Sequence, residues 1–592
     1  MLLFFSTLLR LRGAGAGLTI LCVSAAALAA TLVPSRASAC GGVFCSNTNL
    51  PIDQKAERII FHVDASGKVT AVIEIRYEGP ASKFAWLIPV AGKPTVGVSS
   101  NTVLDRLQAA SNPSYTLTNT VKGECSGFGG GSRGPFSCGP IVAASATNDF
   151  ASYDGGFVET DGGVNVLEQA TVGPYDYVIV SVDPKLEDPG MAAGEWLSKN
   201  GYVTNDFGTD RLRPYLEGGM NLLAFRLRKG NSSGSIRPIK LEFGTGLPSI
   251  PLRPTAVAAV NNMGILVWVL GEHRAVPLNY KSLEINDALL DWTNPAASYE
   301  ALVTRAANEA GGQGFVTEMA SSAPAFADTL YPEAERSAWE NVSRTDWNGR
   351  EGALLFELLS RYAGYDGVAD ALAEEVVPAL GVQADELIAC PACHVSASVT
   401  DIAGVDAAHL LEKFRKLVVD PVADTATLFE NAAKVTRLFT TMSPDEMTLD
   451  PSFAFNASLD DVSNVHAAER IVECNEEVSQ SRASWSAVLP SGAVVRGTGG
   501  AWPFTRPDDK MPANLHVRRI GTEGAGDMVT DNTAAIDAAL TAHNRTVGFT
   551  GERNDGCGAC VTATGHPRPA VTYFALVTAL GIALHRRARR GR

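Results

Sequence analysis

Cys390-Pro391-Ala392-Cys393-His394 has the Cys-x-x-Cys-His spacing by which c-type haem proteins hold their group, through two thioethers and one axial imidazole. Gln383–Ala389 reads as a helix leading into the motif. Met442 or Met447 stands roughly fifty residues on, where a second axial ligand can sit. Against haem c, the run after His394 is Val-Ser-Ala-Ser-Val-Thr-Asp, β-branched and Ser-rich rather than helical. Burial is the ordinary duty of both Met residues. A local Cys390–Cys393 disulfide is therefore the preferred reading, with a redox-active or metal-binding dithiol left open. Zinc needs two more ligands, and none stands at the expected spacing. No cofactor and no metal is expected, haem c at Cys390, Cys393 and His394 being the standing alternative.

Two glycine motifs carry less. Gly230-Asn231-Ser232-Ser233-Gly234 matches the Gly-x-Ser-x-Gly of a nucleophile elbow, which requires a strand before the Ser and a helix after it. Strand-like segments flank it on both sides, so a hairpin loop is the expectation. The Gly129 run, Gly-Gly-Gly-Ser-Arg-Gly, matches Gly-x-Gly-x-x-Gly, but no strand enters and no helix leaves. It reads as a loop closed between Cys125 and Cys138. No His-Glu-x-x-His and no Walker-type lysine motif occurs. Catalytic residues are not identifiable.

The chain has ten Cys, one of them, Cys22, inside the N-terminal leader. The remainder form four close pairs, Cys40/Cys45, Cys125/Cys138, Cys390/Cys393 and Cys557/Cys560, with Cys474 left over. Close pairs of this kind are disulfide candidates in an oxidising compartment.

Both ends point outward. Arg10 and Arg12, the apolar Gly17–Val33 run and Ala37-Ser38-Ala39 have the form of a signal peptide over residues 1–39, cleaved before Cys40. An uncleaved anchor and lipidation of Cys40 are the alternatives. Ala570–Leu584 is an uncharged, mostly apolar stretch, at ~1.5 Å per residue a short membrane helix of about 22 Å. Five arginines follow it, from Arg586 to Arg592, and belong on the cytoplasmic side. Cys557 and Cys560 precede it, the place of a sorting or attachment point. Of 49 basic residues, three lie in the leader and six from Arg568 on, leaving 40 against 64 acidic, a net of −24. Such a body repels nucleic acid and anionic lipid.

The expected fold class is α+β. Residues 40–293 read as a β-rich exported domain of antiparallel sheets with short helices. Glu57–Val63 and Val69–Glu78 flank the turn Asp64-Ala65-Ser66-Gly67, and further strands read at Phe84–Val90, Val164–Val172, Tyr175–Val182, Asn221–Arg228, Ile236–Phe243 and Gly264–Leu270. Residues 294–455 read as mainly helical, with apolar spacing of three to four in Tyr299–Glu309, Gly352–Tyr362, Gly367–Leu380, Asp406–Val419 and Thr425–Thr441. Asp406 reads as an N-cap and Pro421 as lying past that helix's end. Ser443-Pro444-Asp445-Glu446 reads as a capping box opening a helix that contains Met447. Residues 456–556 read as a mixed α/β segment and linker, with a hairpin at Trp485–Leu489 and Ala493–Arg496. Residues 557–592 hold the Cys motif, the transmembrane segment and the Arg-rich tail.

Several segments together resemble the bacterial domain-of-unknown-function family 2330: ACGGVFC at the mature start, GPASKFAWLIPV from Gly79, EWLSKNGY from Glu195, LRPYLEGGM from Leu212, HRAVPLNY from His273 and TRLFTTMSPDEMTLDPSF from Thr436. The resemblance spans about Cys40 to Phe453 and implies export but no activity, cofactor or site residue. The tail, separately, resembles a myxobacterial-type surface sorting signal. The combined expectation is an exported, non-catalytic ectodomain of the cell envelope or surface, anchored by one C-terminal segment, with an unknown surface ligand and no nucleic-acid partner. An exported enzyme without a local motif is the alternative.

Overall fold

The computed structural model describes residues 53–78, 85–126, 160–202, 206–227, 236–395, 402–504 and 510–547. Outside the described residues lie the leader with Cys40 and Cys45, the Gly129 run with Cys138, and the Gly230 run. So do Cys557, Cys560, the apolar tail and its arginines. Among the described residues no helix is long and apolar enough to cross a membrane.

The architecture is α+β, with a β-rich N-terminal half, a helical middle and a mixed C-terminal part. Its backbone is a ten-stranded sheet in the spatial order Asp527–Asp531, Asn514–Arg519, Lys281–Ile285, Gly314–Ser322, Lys434–Met442, Ala259–Gly271, Asp53–Val63, Lys68–Glu78, Ile239–Thr245 and Thr95–Val98. Asp53–Val63 and Lys68–Glu78 form the expected hairpin. Asp64 closes its turn by accepting the Ser66 and Lys68 N–H groups at 2.8 and 3.0 Å, and Gly67 supplies the positive φ of 81°. The sheets are not wholly antiparallel. Asp53–Val63 runs parallel to Ala259–Gly271, and Lys281–Ile285 runs parallel to Gly314–Ser322 through the crossover helix Pro295–Glu309.

Both faces of this sheet are covered. Ile59, Phe61, Val69, Ala71, Ile73, Ile265, Val267 and Leu438 point to one side, against Ile88, Tyr175, Ile179, Leu223 and Phe225 of a second sheet. That second sheet has five strands, ordered Ala85–Val90, Asn221–Leu227, Tyr175–Val182, Val164–Val172 and Thr160–Asp161. Its outer face, with Leu87, Val178, Val180 and Leu222, packs on Trp196 and Leu197 of the helix Pro189–Lys199 and on Leu212 and Leu216 of Asp206–Glu217. On the other side of the large sheet, Ile60, Val72, Leu266, Trp268 and Val435 meet the helix Asn101–Ser111 and the helical segment of residues 324–430. The order is therefore helices, sheet, sheet, helices. A four-stranded sheet, ordered Val494–Thr498, Ser484–Val488, Val465–Glu473 and Ser114–Lys122, builds a further core around Trp292, Trp485 and Trp502.

Four local expectations are corrected. Thr425–Thr441 is not one helix. The helix Asp420–Glu430 ends, and Lys434–Met442 is an interior strand buried on both faces. Pro421 does not follow a helix end: Ala407–Phe414 passes through a π turn at Arg415–Val419 into Asp420–Glu430, with Pro421 in the first turn. Pro421 cannot donate to the Leu417 carbonyl, and the buried Arg237 Nη1 donates to it instead, at 2.8 Å. Gly367–Leu380 breaks into Val368–Ala373 and Val376–Leu380, a restart that places Pro378 in a first turn where its missing N–H costs nothing. Finally, the Ser443 box forms, with the Ser443 N–H donating to Glu446 Oε2 at 2.7 Å, but it closes a turn rather than a helix. Met447, fully buried between the two sheets, pulls the chain inward.

Cys125 pairs with Cys474, so Cys474 is not left over and the Cys125–Cys138 pairing is overturned. The register explains it. Ser114–Lys122 runs parallel to Val465–Glu473 with Lys122 opposite Glu473, so both chains leave the sheet side by side. Gly123 is required there, because a Cβ would strike the Cys474 carbonyl and its φ is 79°. This bond spans 349 positions, a separation for which the loop-closure argument gives about 6 kcal/mol. The strands flanking the Gly230 run lie in different sheets, Asn221–Leu227 in the five-stranded and Ile239–Thr245 in the ten-stranded one. Those two strands therefore do not pair with each other as the expected hairpin requires.

Candidate ligand cleft

The motif that opened the sequence does not assemble a haem site. Cys390 and Cys393 are bonded to each other. His394 is exposed on the four-residue helix Pro391–His394, on the helical side of the large sheet. Met442 and Met447 are fully buried in the core between the two sheets. The sheet separates the His from both proposed axial partners. The sulfurs that would form thioethers are joined to one another, which is the local disulfide the spacing favours. No group of three or more His, Cys, Asp or Glu side chains suited to a metal occurs among the described residues.

Polar side chains converge elsewhere. Ala259–Gly271 ends in a tight approach: a Cβ on Gly271 would enter the Phe455 ring. The chain then turns through Glu272 and His273 into the strand Arg274–Pro277, which pairs antiparallel with Phe453–Asn456, Arg274 opposite Asn456. Thr436 Oγ1 accepts the Ala275 N–H at 2.8 Å and ties this small ribbon to the large sheet. Asn456 is fully buried. Its amide nitrogen donates to the Gly521 and Gly524 carbonyls at 2.8 and 2.9 Å, and its Oδ1 accepts from Ser458 N–H at 2.9 Å. That fixes the start of residues 457–461, whose far end is held by reciprocal Val462–Ala320 backbone bonds of 2.9 Å.

Between these elements lies a cleft of about 390 Å³ lined by His273, Arg274, Lys434, Asn456, Leu459, Asp460 and Asp461. Lys434 Nζ bridges both Asp461 oxygens at 2.6 and 2.7 Å. Arg274 is treated differently. One Nη donates to the Asp460 backbone carbonyl at 3.0 Å, its Nε has no hydrogen-bond partner, and no carboxylate among the described residues closes an ion pair with it. Burial lowers the pKa of its guanidinium, and the nearby charges of Asp460 and Asp461 oppose that. The cleft thus offers one incompletely satisfied cation beside an acidic rim, an arrangement that binds an anionic group flanked by a cationic or hydrogen-donating one.

A second convergence holds this ribbon in place. Asp450 Oδ1 accepts the Leu252 and Arg253 N–H groups at 3.0 and 3.3 Å, and Oδ2 accepts the Tyr215 hydroxyl at 2.6 Å. Its backbone carbonyl accepts from Asn279 at 2.6 Å, and Tyr280 Oη donates to the Leu449 carbonyl at 2.6 Å. Burial raises the pKa of both Asp450 and Tyr215. The segments LRPYLEGGM, HRAVPLNY and MTLDPSF therefore meet around Asp450, the first on its carboxylate and the second on its backbone carbonyl. The sequence reading singled out His273 and Arg274 only as part of such a segment. It missed Lys434, Asn456, Asp460 and Asp461, which stand some 160 to 190 residues further on and carry no local motif.

A family model described as "Uncharacterized protein conserved in bacteria (DUF2330)" matches residues 34–330, half of the 592. It stops short of the TRLFTTMSPDEMTLDPSF segment. No curated protein and no solved structure matches the chain.

Proposed function

The chain belongs to the DUF2330 family of bacterial proteins, and from that premise we propose that it is an exported ectodomain, anchored at the cell surface, whose work is binding rather than catalysis. The leader of residues 1–39, the acidic body and the apolar, arginine-ended tail support export and anchoring. The half-buried Arg274, its charge closed by no carboxylate among the described residues, is the observation that carries the binding reading. Leaving such a cation incompletely satisfied costs stability, and a ligand that completes it recovers that cost. The residues lining the cleft include no Ser, Thr or Cys to act as a nucleophile. The fitting ligand class is a small molecule or chain end bearing a carboxylate next to an amino or hydroxyl group, the anion on Arg274 and the donor on Asp460 or Asp461.

Calorimetric titration of the purified protein with amino acids, short peptides and hydroxy acids tests this. One of these classes is expected to bind, and Arg274→Met is expected to weaken it roughly ten- to hundredfold while leaving the unfolding midpoint within a few degrees. Binding unchanged by Arg274→Met, or no binding across all three classes, overturns the cleft assignment. Export is checked separately by fractionation and by the mass of the mature termini.

A further inference from the structure

The Cys390–Cys393 bond has no part in the cleft and little part in the fold. The loop it closes spans three positions, where the entropy removed from the unfolded chain is small, in contrast to the 349 positions of Cys125–Cys474. It joins no second element, because both cysteines belong to one turn. That turn is already fixed by backbone bonds: Cys390 N–H to the Glu386 carbonyl at 3.1 Å, Cys393 N–H to the Cys390 carbonyl at 3.0 Å, and Val395 N–H to the Pro391 carbonyl at 2.9 Å. Leu387 and Val395, buried in the helical core on either side, pin it further. On this fixed turn Cys390 is half-buried, while Cys393 and the adjacent His394 are exposed. A disulfide that stabilises little, stands on a fixed turn and has one of its two cysteines exposed has the properties of an exchangeable bond.

We propose that Cys390–Cys393 is a thiol–disulfide exchange site acting on polypeptides that carry a pair of thiols. A substrate thiolate bonds to Sγ of the exposed Cys393. The Cys390–Cys393 bond breaks, and Cys390 leaves as a thiolate that takes up a proton, with the exposed His394 beside the pair as a local proton carrier. The substrate's second thiol, deprotonated, then attacks its own sulfur in the mixed disulfide and expels Cys393 as a thiolate, which is protonated in turn. Two electrons pass from the substrate dithiol to the protein. The substrate leaves as a disulfide, and the two protons it lost reside on Cys390 and Cys393. The site is independent of the ligand cleft.

The test uses the full chain equilibrated, folded, in graded mixtures of reduced and oxidised glutathione, then alkylated and read by mass spectrometry. Cys390 and Cys393 are expected to become alkylated together under conditions that leave Cys125–Cys474 intact, with an exchange rate at least tenfold faster. Cys390→Ser is expected to trap a mixed disulfide at Cys393 with oxidised glutathione and with a peptide carrying an intramolecular disulfide, the oxidised product of the proposed exchange, because no second protein thiol remains to resolve it. The double variant Cys390→Ser/Cys393→Ser is expected to melt as the parent does. Reduction of the pair only in step with Cys125–Cys474 or with unfolding overturns the proposal. So does failure of Cys390→Ser to trap the peptide, or a large loss of stability in the double variant, which assigns the bond a structural duty.

Discussion

Glu57 is a carboxyl with nowhere to put its charge. Strand alternation sends Ile59 and Phe61 into the core between the sheets and Glu57 to the same side, where it is 5% exposed and its Oε2 has no hydrogen-bond partner. Burial pushes its pKa up to about 8. The folded protein therefore keeps a proton that the unfolded chain has released once the pH exceeds the ordinary Glu range. Stability must fall as pH rises from roughly 4.5 to 8 and level off above that. The shift corresponds to about 5 kcal/mol over the window, at ~1.36 kcal/mol per pKa unit. Glu57→Gln removes the titration without removing the shape. Urea unfolding at pH 5, 6, 7 and 8 should show the parent losing stability relative to Glu57→Gln at each step. Parallel profiles would place the slope on another group.

The strand Lys434–Met442 shows where sequence legibility ends at the scale of elements. Val164–Val172 and Tyr175–Val182 were readable to the residue, since a turn separates them and, in the first, half-buried and exposed residues alternate. Lys434–Met442 has no such alternation, because Val435, Arg437 and Phe439 face the helices while Thr436, Leu438 and Thr440 face the other sheet. A run buried on both sides matches helical spacing as well as strand spacing. Its charged residue is compensated from a distance no local pattern reveals. The neighbouring strand bulges between Thr317 and Met319, which turns the added residue, Glu318, onto Arg437. Arg437 also donates to Ser111 Oγ and Asn112 Oδ1, both at 2.8 Å, and Tyr299 donates to Glu318 at 2.5 Å. The cleft was illegible for the same reason: its residues come from strands and loops far apart in the chain that only the fold brings together. Glu318→Ala leaves the Arg437 charge buried and uncompensated, so a loss of about 3–5 kcal/mol is expected. Guanidinium unfolding at neutral pH measures it, and a loss under ~1 kcal/mol would mean that Ser111 and Asn112 suffice.

At the scale of the whole molecule, the large sheet settles what can be removed. Its strands come from all three segments that the sequence separates at residues 293 and 455, and they do not come in blocks. Lys434–Met442 lies between Ala259–Gly271 and Gly314–Ser322, pairing antiparallel with both. A chain of residues 40–330, close to the extent the family model matches, keeps both neighbours and loses the strand between them. Each then presents a long unpaired edge made of residues such as Leu266, Trp268 and Val269 that are buried in the whole protein. It also loses Cys474, the partner of Cys125, and most of the helices that cover Trp268 and Leu270. No stable core remains on that face, because the apolar area has nothing to bury against. Residues 40–330 expressed alone should aggregate or unfold without a cooperative transition, whereas residues 40–547 should show one. Circular dichroism melts of the two, run with analytical ultracentrifugation, decide the matter. A sharp melt from a monomeric 40–330 would mean that the matched half closes its own sheet by a pairing other than the one described.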